Sequence, residues 1–125
     1  MKQIINTKNA PSAIGPYSQA VLINGMLYTS GQIGINPKTN QLEIETLNHE
    51  TNLVMKNLTA VLKEAKMDFN HVIKTTIFLK SMDDFAEVNE IYASFFEKDF
   101  PARETVQVAK LPLDVNVEIS MIATL

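Results

Sequence analysis

The sequence predicts an α+β fold in which a mixed β-sheet carries two helices on one face. Three patterns support this. Over residues 47–65, Leu47, Val54, Met55, Leu58, Val61, Leu62 and Ala65 recur at spacings of mostly three and four, the stripe of an amphipathic helix. Over residues 115–124, Val115, Val117, Ile119, Met121 and Ala123 alternate with Asn116, Glu118, Ser120 and Thr124, the period of a half-buried strand. Between two β-prone runs, 19–23 and 26–30, stands Asn24-Gly25, which supplies the positive φ angles of a type I′ hairpin turn.

The other elements follow in order. Residues 2–5 suit a short strand, and residues 9–17, with two prolines and a glycine, a loop. Gly31 and Gly34 end the second hairpin strand, and residues 36–40, with Pro37, form a turn. On the first helix Lys56, Asn57, Lys63 and Glu64 are expected on the solvent side. Residues 71–80 are rich in β-branched side chains and predict a buried strand. Ser81 and Asp84 mark the start of a second helix, whose apolar stripe is Phe85, Val88, Tyr92, Phe95 and Phe96 and which must end before Pro101. Residues 104–109 and 115–124 predict two closing strands. Strand–helix–strand connections imply parallel pairs with right-handed crossovers, and the hairpins add antiparallel pairs. With both helices on one face, the other face stays open; its polar residues suit the border of an oligomer cavity.

The 125 residues fit one domain spanning 1–125, and the 46% apolar content suits a packed core. There is no cysteine, so disulfides, zinc–thiolate sites and thiol nucleophiles are excluded and a reducing compartment is compatible. The first 17 residues lack the apolar stretch of a secretory signal, and no run approaches the length of a membrane span, so a cytoplasmic protein without membrane partners is expected. Eleven basic residues against 14 acidic give a net charge of −3, which argues against a broad nucleic-acid surface.

No phosphate-binding loop, dinucleotide fingerprint, metalloprotease helix motif or nucleophile elbow is present. His49 and His71 stand alone, and two histidines without clustered carboxylates do not make a metal site; a solvated helix position and a strand start account for them. Arg103 and Glu118 are more informative. Alternation puts Arg103, Thr105 and Gln107 on one face of their strand, and Glu118 opposite the Val/Ile/Met row of its own. If residues 110–113 form a four-residue loop between adjacent strands, Ala109 faces Asp114, Thr105 faces Glu118 and Arg103 faces Ser120. Arg103 and Glu118 are then diagonal neighbours on the polar face; a five-residue loop would put them on opposite faces unless a bulge intervened. Their bland alternative is a solvated cross-strand pair. Ser30 and Gly31 lie where a strand ends and a backbone N–H can be free, Tyr17 lies in the loop after Pro16, and Asn89 interrupts the apolar stripe of the second helix. Each has an ordinary structural role as its simplest reading, and the aromatic stripe reads as core.

Several collinear segments nevertheless belong together. They are Asn9-Ala10-Pro11 with Ile14-Gly15-Pro16-Tyr17; Thr29-Ser30-Gly31-Gln32-Ile33; Val72-Ile73-Lys74-Thr75-Thr76; Asp84-Phe85 with Val88-Asn89; Phe100-Pro101-Ala102-Arg103; and Val108-Ala109-Lys110-Leu111-Pro112 with Val117-Glu118-Ile119. In these blocks the chain resembles the RidA (YjgF) family, historically also labelled translation inhibitor or L-PSP endoribonuclease. The resemblance spans nearly the whole chain.

That resemblance implies a chorismate-mutase-like fold and a homotrimer with active sites in clefts between subunits. It implies hydrolysis of 2-imino acids, 2-iminobutanoate and 2-iminopropanoate, the latter arising from 2-aminoacrylate, to 2-keto acids and ammonia. No metal or organic cofactor is implied. Arg103 matches the arginine that grips the substrate carboxylate, a task for its planar fork. Glu118 matches the acidic residue that positions the attacking water, and Tyr17, Ser30, Gly31 and Asn89 match positions lining the pocket. Many relatives carry cysteine where this chain has Thr105, so a thiol role is absent; Thr105 can bond ligand or water through its hydroxyl. Two other functions compete. The cleft could serve a ligand-sensing module that binds a regulatory partner, since some relatives are credited with regulation. The older ribonuclease reading is weakened by the acidic balance and the lack of a histidine pair.

Overall fold

A computed structural model describes all 125 residues. Eight strands are present: β1 (Gln3–Ile5), β2 (Ala20–Ile23), β3 (Met26–Thr29), β4 (Ile35–Asn36), β5 (Gln41–Leu42), β6 (Val72–Leu79), β7 (Ala102–Gln107) and β8 (Val117–Thr124). Two helices join them, α1 (Leu47–Glu64) and α2 (Phe85–Ala93). Six strands form one mixed sheet in the order β1-β2-β3-β8-β6-β7, and β4 and β5 pair as a separate ribbon. No helix is long and apolar enough to cross a membrane.

Local chemistry explains most of these elements. Asn24 and Gly25 take φ angles of 50° and 77°, the positive pair that a type I′ turn requires, so the β2–β3 hairpin closes as expected. Thr46 caps α1 by accepting from the His49 N–H at 3.1 Å. Ser81 accepts from the Asp83 N–H, but what it caps is a short 3-10 turn, Met82–Asp84, that leads into α2. The helix itself ends at Ala93, so Phe95 and Phe96 continue the apolar stripe from the following turn. There Phe69 packs edge-on against both rings, with centroids 5.7 and 5.2 Å away.

Both helices lie on the same sheet face, where Val54, Leu58, Leu62, Val88 and Tyr92 join Leu27, Ile77, Ile119 and Met121 in one core. Two polar side chains are part of this packing. Asn57, expected on the wet side of α1, is buried and donates to the carbonyls of Ile33 (3.3 Å) and Ile35 (3.0 Å). Glu50 is fully buried and accepts from the backbone N–H (2.8 Å) and side-chain amide (2.7 Å) of Asn116. These bonds tie the helix to the segment after β3 and to the start of β8.

The expected pairing of the last two strands is overturned. β7 does not pair with β8: it runs parallel to β6, and β8 inserts antiparallel between β3 and β6. Of the parallel pairs expected from the crossovers, only β6–β7 forms, because β8 separates β3 from β6. The physical reason is burial. Every second side chain of β8 (Val117, Ile119, Met121, Ala123) is at most 2% exposed, and that row can be enclosed only in the middle of the sheet. β7 reads Ala-Arg-Glu-Thr-Val-Gln and has no fully buried residue, so it takes the edge.

The other sheet face is uncovered in this chain. It carries exposed Ile4, Tyr28 and Val106 beside the polar group of Thr76, Lys74 and Glu104, in which Glu104 accepts from Thr76 at 2.6 Å and pairs with Lys74 at 3.0 Å. The expectation of an open, partly polar face therefore agrees with the structure.

Candidate active site

The pairing of β7 with β6 decides where the candidate residues go. Arg103 lies beside Thr75 in the ladder, and Thr75 beside Met121, whose side chain is in the core. Arg103 therefore projects on the helix side. Glu118 lies beside Phe78 and projects on the open side, out of phase with Met121. The two do not meet on one sheet face: a whole strand separates theirs, and their side chains point in opposite directions. The diagonal pairing expected from a four-residue loop fails because it took strands consecutive in sequence to be neighbours in the sheet.

Each candidate instead sits in its own cleft. Arg103 lines a cleft of about 400 Å³ with Asn89, Tyr92, Phe100 and Pro101. Its half-buried guanidinium lies 5.1 Å from the centroid of the Tyr92 ring and 5.7 Å from that of Phe85. None of the chain's ion pairs involves Arg103. Burial pushes the Tyr92 phenol up, while its hydrogen bond to Thr75 (2.9 Å) and the Arg103 charge pull it back. Thr105 shares this face and presents a buried hydroxyl with no hydrogen-bond partner.

Glu118 lines a second cleft of about 520 Å³ with Tyr17, Ser30, Gly31, Ile14 and Leu113. Burial pushes its carboxyl above the usual carboxylate range. A Cβ built on Gly31 would lie 2.6 Å from Glu118 Oε2 and 2.8 Å from its Cγ, so the carboxylate packs directly on the glycine backbone. The Ser30 hydroxyl donates to the Ser18 carbonyl at 2.6 Å and its N–H to Gln19 O at 2.9 Å; the Gly31 N–H is left without a backbone partner. The free donor expected at this strand end is thus that of Gly31.

The cleft walls are held by residues that the sequence pattern did not single out. Buried Gln19 accepts from the Thr7 N–H (2.7 Å) and donates to the carbonyls of Thr7 (3.0 Å) and Pro11 (2.8 Å), fastening the loop that leads to Tyr17. Leu113 and Asp114 both have positive φ, 54° and 57°, beside the same cleft. Strain of that kind gathers at functional sites. Glu50 and Asn57 had a legible signal, since they fall three or four residues from Val54 and Val61 on the apolar side of α1; their polarity concealed it. His49 is exposed on α1 as expected, beside Glu43 at 2.7 Å; His71, expected to start a strand, instead ends the 3-10 turn before β6 and pairs with Asp68 at 3.2 Å.

Arg103 with Asn89, and Glu118 with Tyr17, Ser30 and Gly31, are thus two half-sets of polar groups in separate clefts. Comparison with known proteins bears on what they belong to. The sequence profile of the family described as Endoribonuclease L-PSP matches residues 7–125. A Lactococcus lactis protein whose name gives it as a candidate regulator, AldR, is 52% identical, covering 97% of this chain and 96% of its own length. The 2-iminobutanoate/2-iminopropanoate deaminase of Mus musculus is 47% identical over 98% of this chain and 91% of its own. The crystal structure of E. coli TdcF with bound serine superposes with a TM-score of 0.94 at 40% identity, covering 98% of each chain. Matched along nearly its whole length in sequence and in fold, the chain belongs to the Endoribonuclease L-PSP family, the RidA family whose blocks its sequence carries.

Proposed function

We propose that this protein is a 2-imino-acid deaminase that hydrolyses 2-iminobutanoate and 2-iminopropanoate to 2-keto acids and ammonia, with its sites completed between the subunits of a homotrimer. The observation that carries the reading is the separation of Arg103 from Glu118. A half-buried arginine without an acidic partner and a carboxyl raised by burial face different clefts of one chain. A second copy offers a way to bring such half-sites together. The name of the mouse relative and the serine bound to the E. coli protein, a molecule with a carboxylate, agree with a small carboxylate substrate.

The chemistry asks little of the protein. The imine carbon is already electrophilic, more so when its nitrogen is protonated. Arg103 holds the carboxylate through paired N–H donors. Glu118 takes a proton from water as the oxygen bonds to the imine carbon, giving a tetrahedral carbinolamine. Glu118 gives that proton to the amine nitrogen and its carboxylate then takes the hydroxyl proton as the C–N bond breaks, so ammonia leaves and the carbonyl forms. A carboxyl raised by burial suits both proton steps, since its two forms are closer in energy near neutral pH. Thr105 offers its unpartnered hydroxyl to substrate or water.

The test uses iminobutanoate generated freshly by threonine dehydratase, with semicarbazide as the competing trap. Arg103→Ala and Glu118→Ala are each expected to slow keto-acid release by about 100-fold or more. Release at the wild-type rate from Arg103→Ala overturns the assigned site. The name of the Lactococcus lactis relative favours a second reading, a ligand-sensing module that binds a regulatory partner through the same cleft. Carboxylate binding without turnover, measured in ammonia-free buffer, would decide for that reading.

A further inference from the structure

We propose that Phe85 and Tyr92 are positioning residues that hold the Arg103 guanidinium ready for the substrate carboxylate, and that this stacked shelf takes the place of an acidic partner. The inference rests on the reading of Arg103 as the carboxylate clamp. It starts from how a half-buried arginine is kept in place. The chain's ion pairs are His49–Glu43, His71–Asp68, Lys74–Glu104 and Lys80–Asp114, so no carboxylate holds Arg103. Two ring faces do, at 5.1 Å for Tyr92 and 5.7 Å for Phe85.

The shelf is itself braced. Phe85, Asn89 and Tyr92 fall at i, i+4 and i+7 on α2, so one helix face presents both rings and the cleft amide. The Tyr92 hydroxyl donates to Thr75 Oγ1 at 2.9 Å, and Thr75, fully buried, is the ladder neighbour of Arg103 itself. Phe96 packs on the Tyr92 ring from the turn after the helix, with centroids 4.8 Å apart. The ring that carries the cation is therefore fixed by β6, the strand that pairs with the one carrying Arg103.

The physical advantage lies in which surface of the guanidinium is used. An acidic partner would bond the N–H edge and neutralise the charge, and a substrate carboxylate would have to displace it. An aromatic ring neither neutralises the charge nor competes strongly for the N–H donors, which stay available for bidentate pairing. Stacking also restricts a long side chain before the ligand arrives, which lowers the ordering cost at binding. Because the carboxylate is held equally in ground and transition states, loss of the shelf raises KM and leaves kcat nearly unchanged.

The experiment compares Tyr92→Leu, Phe85→Leu and Tyr92→Phe with the wild-type protein. It measures kcat and KM for 2-iminobutanoate and the affinity for 2-oxobutanoate, the keto-acid product. Each leucine variant is expected to raise KM about five- to thirtyfold, with parallel weakening of 2-oxobutanoate binding and kcat within about threefold. Tyr92→Phe keeps the ring and is expected to stay within about threefold of wild type in KM. Phe85 is only half-buried, so Phe85→Leu carries the test if Tyr92→Leu fails to fold. The proposal is overturned if KM and product affinity are unchanged in Phe85→Leu, if kcat falls at constant KM, or if Tyr92→Phe is as impaired as Tyr92→Leu. Wild-type turnover by Arg103→Ala would mark a different failure, that of the clamp itself.

Discussion

Glu118 shows how one side chain's surroundings set both its chemistry and its cost. Its carboxyl is raised by burial, so the folded state holds the proton more tightly than the unfolded chain does. For such a group, the folded state is relatively most favoured at low pH, and that advantage is lost as pH rises through the raised value. Glu118→Gln removes the charged form. It is expected to raise the Tm at neutral pH, with a gain that shrinks as the pH falls through the raised value toward the ordinary carboxylate range, where the carboxyl is protonated in both states; thermal melts across pH 4 to 8 check this. Gly31 gives a second residue-scale prediction. Its φ is not in the left-handed region, so alanine meets no backbone penalty, but the new Cβ would fall 2.6 Å from Glu118 Oε2. The carboxylate must swing aside. Gly31→Ala is expected to lower kcat/KM about tenfold or more while the Tm moves by a few degrees, measured by the semicarbazide assay and by melting.

The elements hold these side chains through buried polar bonds as well as apolar packing. Asn57 is the clearest case, since its amide bonds two carbonyls, that of Ile33 and that of Ile35 in β4, beyond the strand that ends at Thr29. Ile33 and Ile35 also line the cleft of Glu118, so α1 supports that wall directly. Replacing Asn57 by alanine removes its donor from the Ile35 carbonyl and leaves the Ile33 carbonyl with the Ile35 N–H alone. The expected cost is about 1–3 kcal/mol, read as a lower urea midpoint with unchanged m-value. Gln19 does the same work for the N-terminal loop and Glu50 for the entry to β8. In all three, a polar side chain at a buried position bonds backbone groups of a neighbouring segment.

At the scale of the whole molecule, the sheet order decides where the two candidate residues lie. With β6 between β7 and β8, Arg103 and Glu118 cannot converge within one chain. Assembly through the open face and its edges is the proposed remedy, and it makes a quantitative prediction. Arg103→Ala and Glu118→Ala, each expected to be about 100-fold slower alone, are unfolded together, refolded as a mixture and assayed. If every site draws its arginine from one subunit and its glutamate from the next, random assembly restores about a quarter of the wild-type activity. No recovery in mixed assemblies, or a monomer in sedimentation at micromolar concentration, would count against a site shared between subunits.

The sequence by itself determined the local elements. Asn24-Gly25 fixed a hairpin because few residues adopt two successive positive φ angles, and the stripe from Leu47 to Leu62 fixed α1 because an apolar face must be buried. It also carried the family, because the blocks around Tyr17, Ser30, Asn89, Arg103 and Glu118 are spread over nearly the whole chain. What it left open was which strands are neighbours. Alternation assigns a side chain to a face of its own strand but is silent about the strand alongside, and that choice is made by long-range burial. The apolar row of β8 demands the middle of the sheet, and the polar β7 is left at the edge. The clue was present in the contrast between the two strands, yet only the tertiary structure turned it into a register. The same limit applies to Asn57 and Glu50: their helical positions were legible, but only the folded chain supplies the carbonyls and amides that make burying them tolerable.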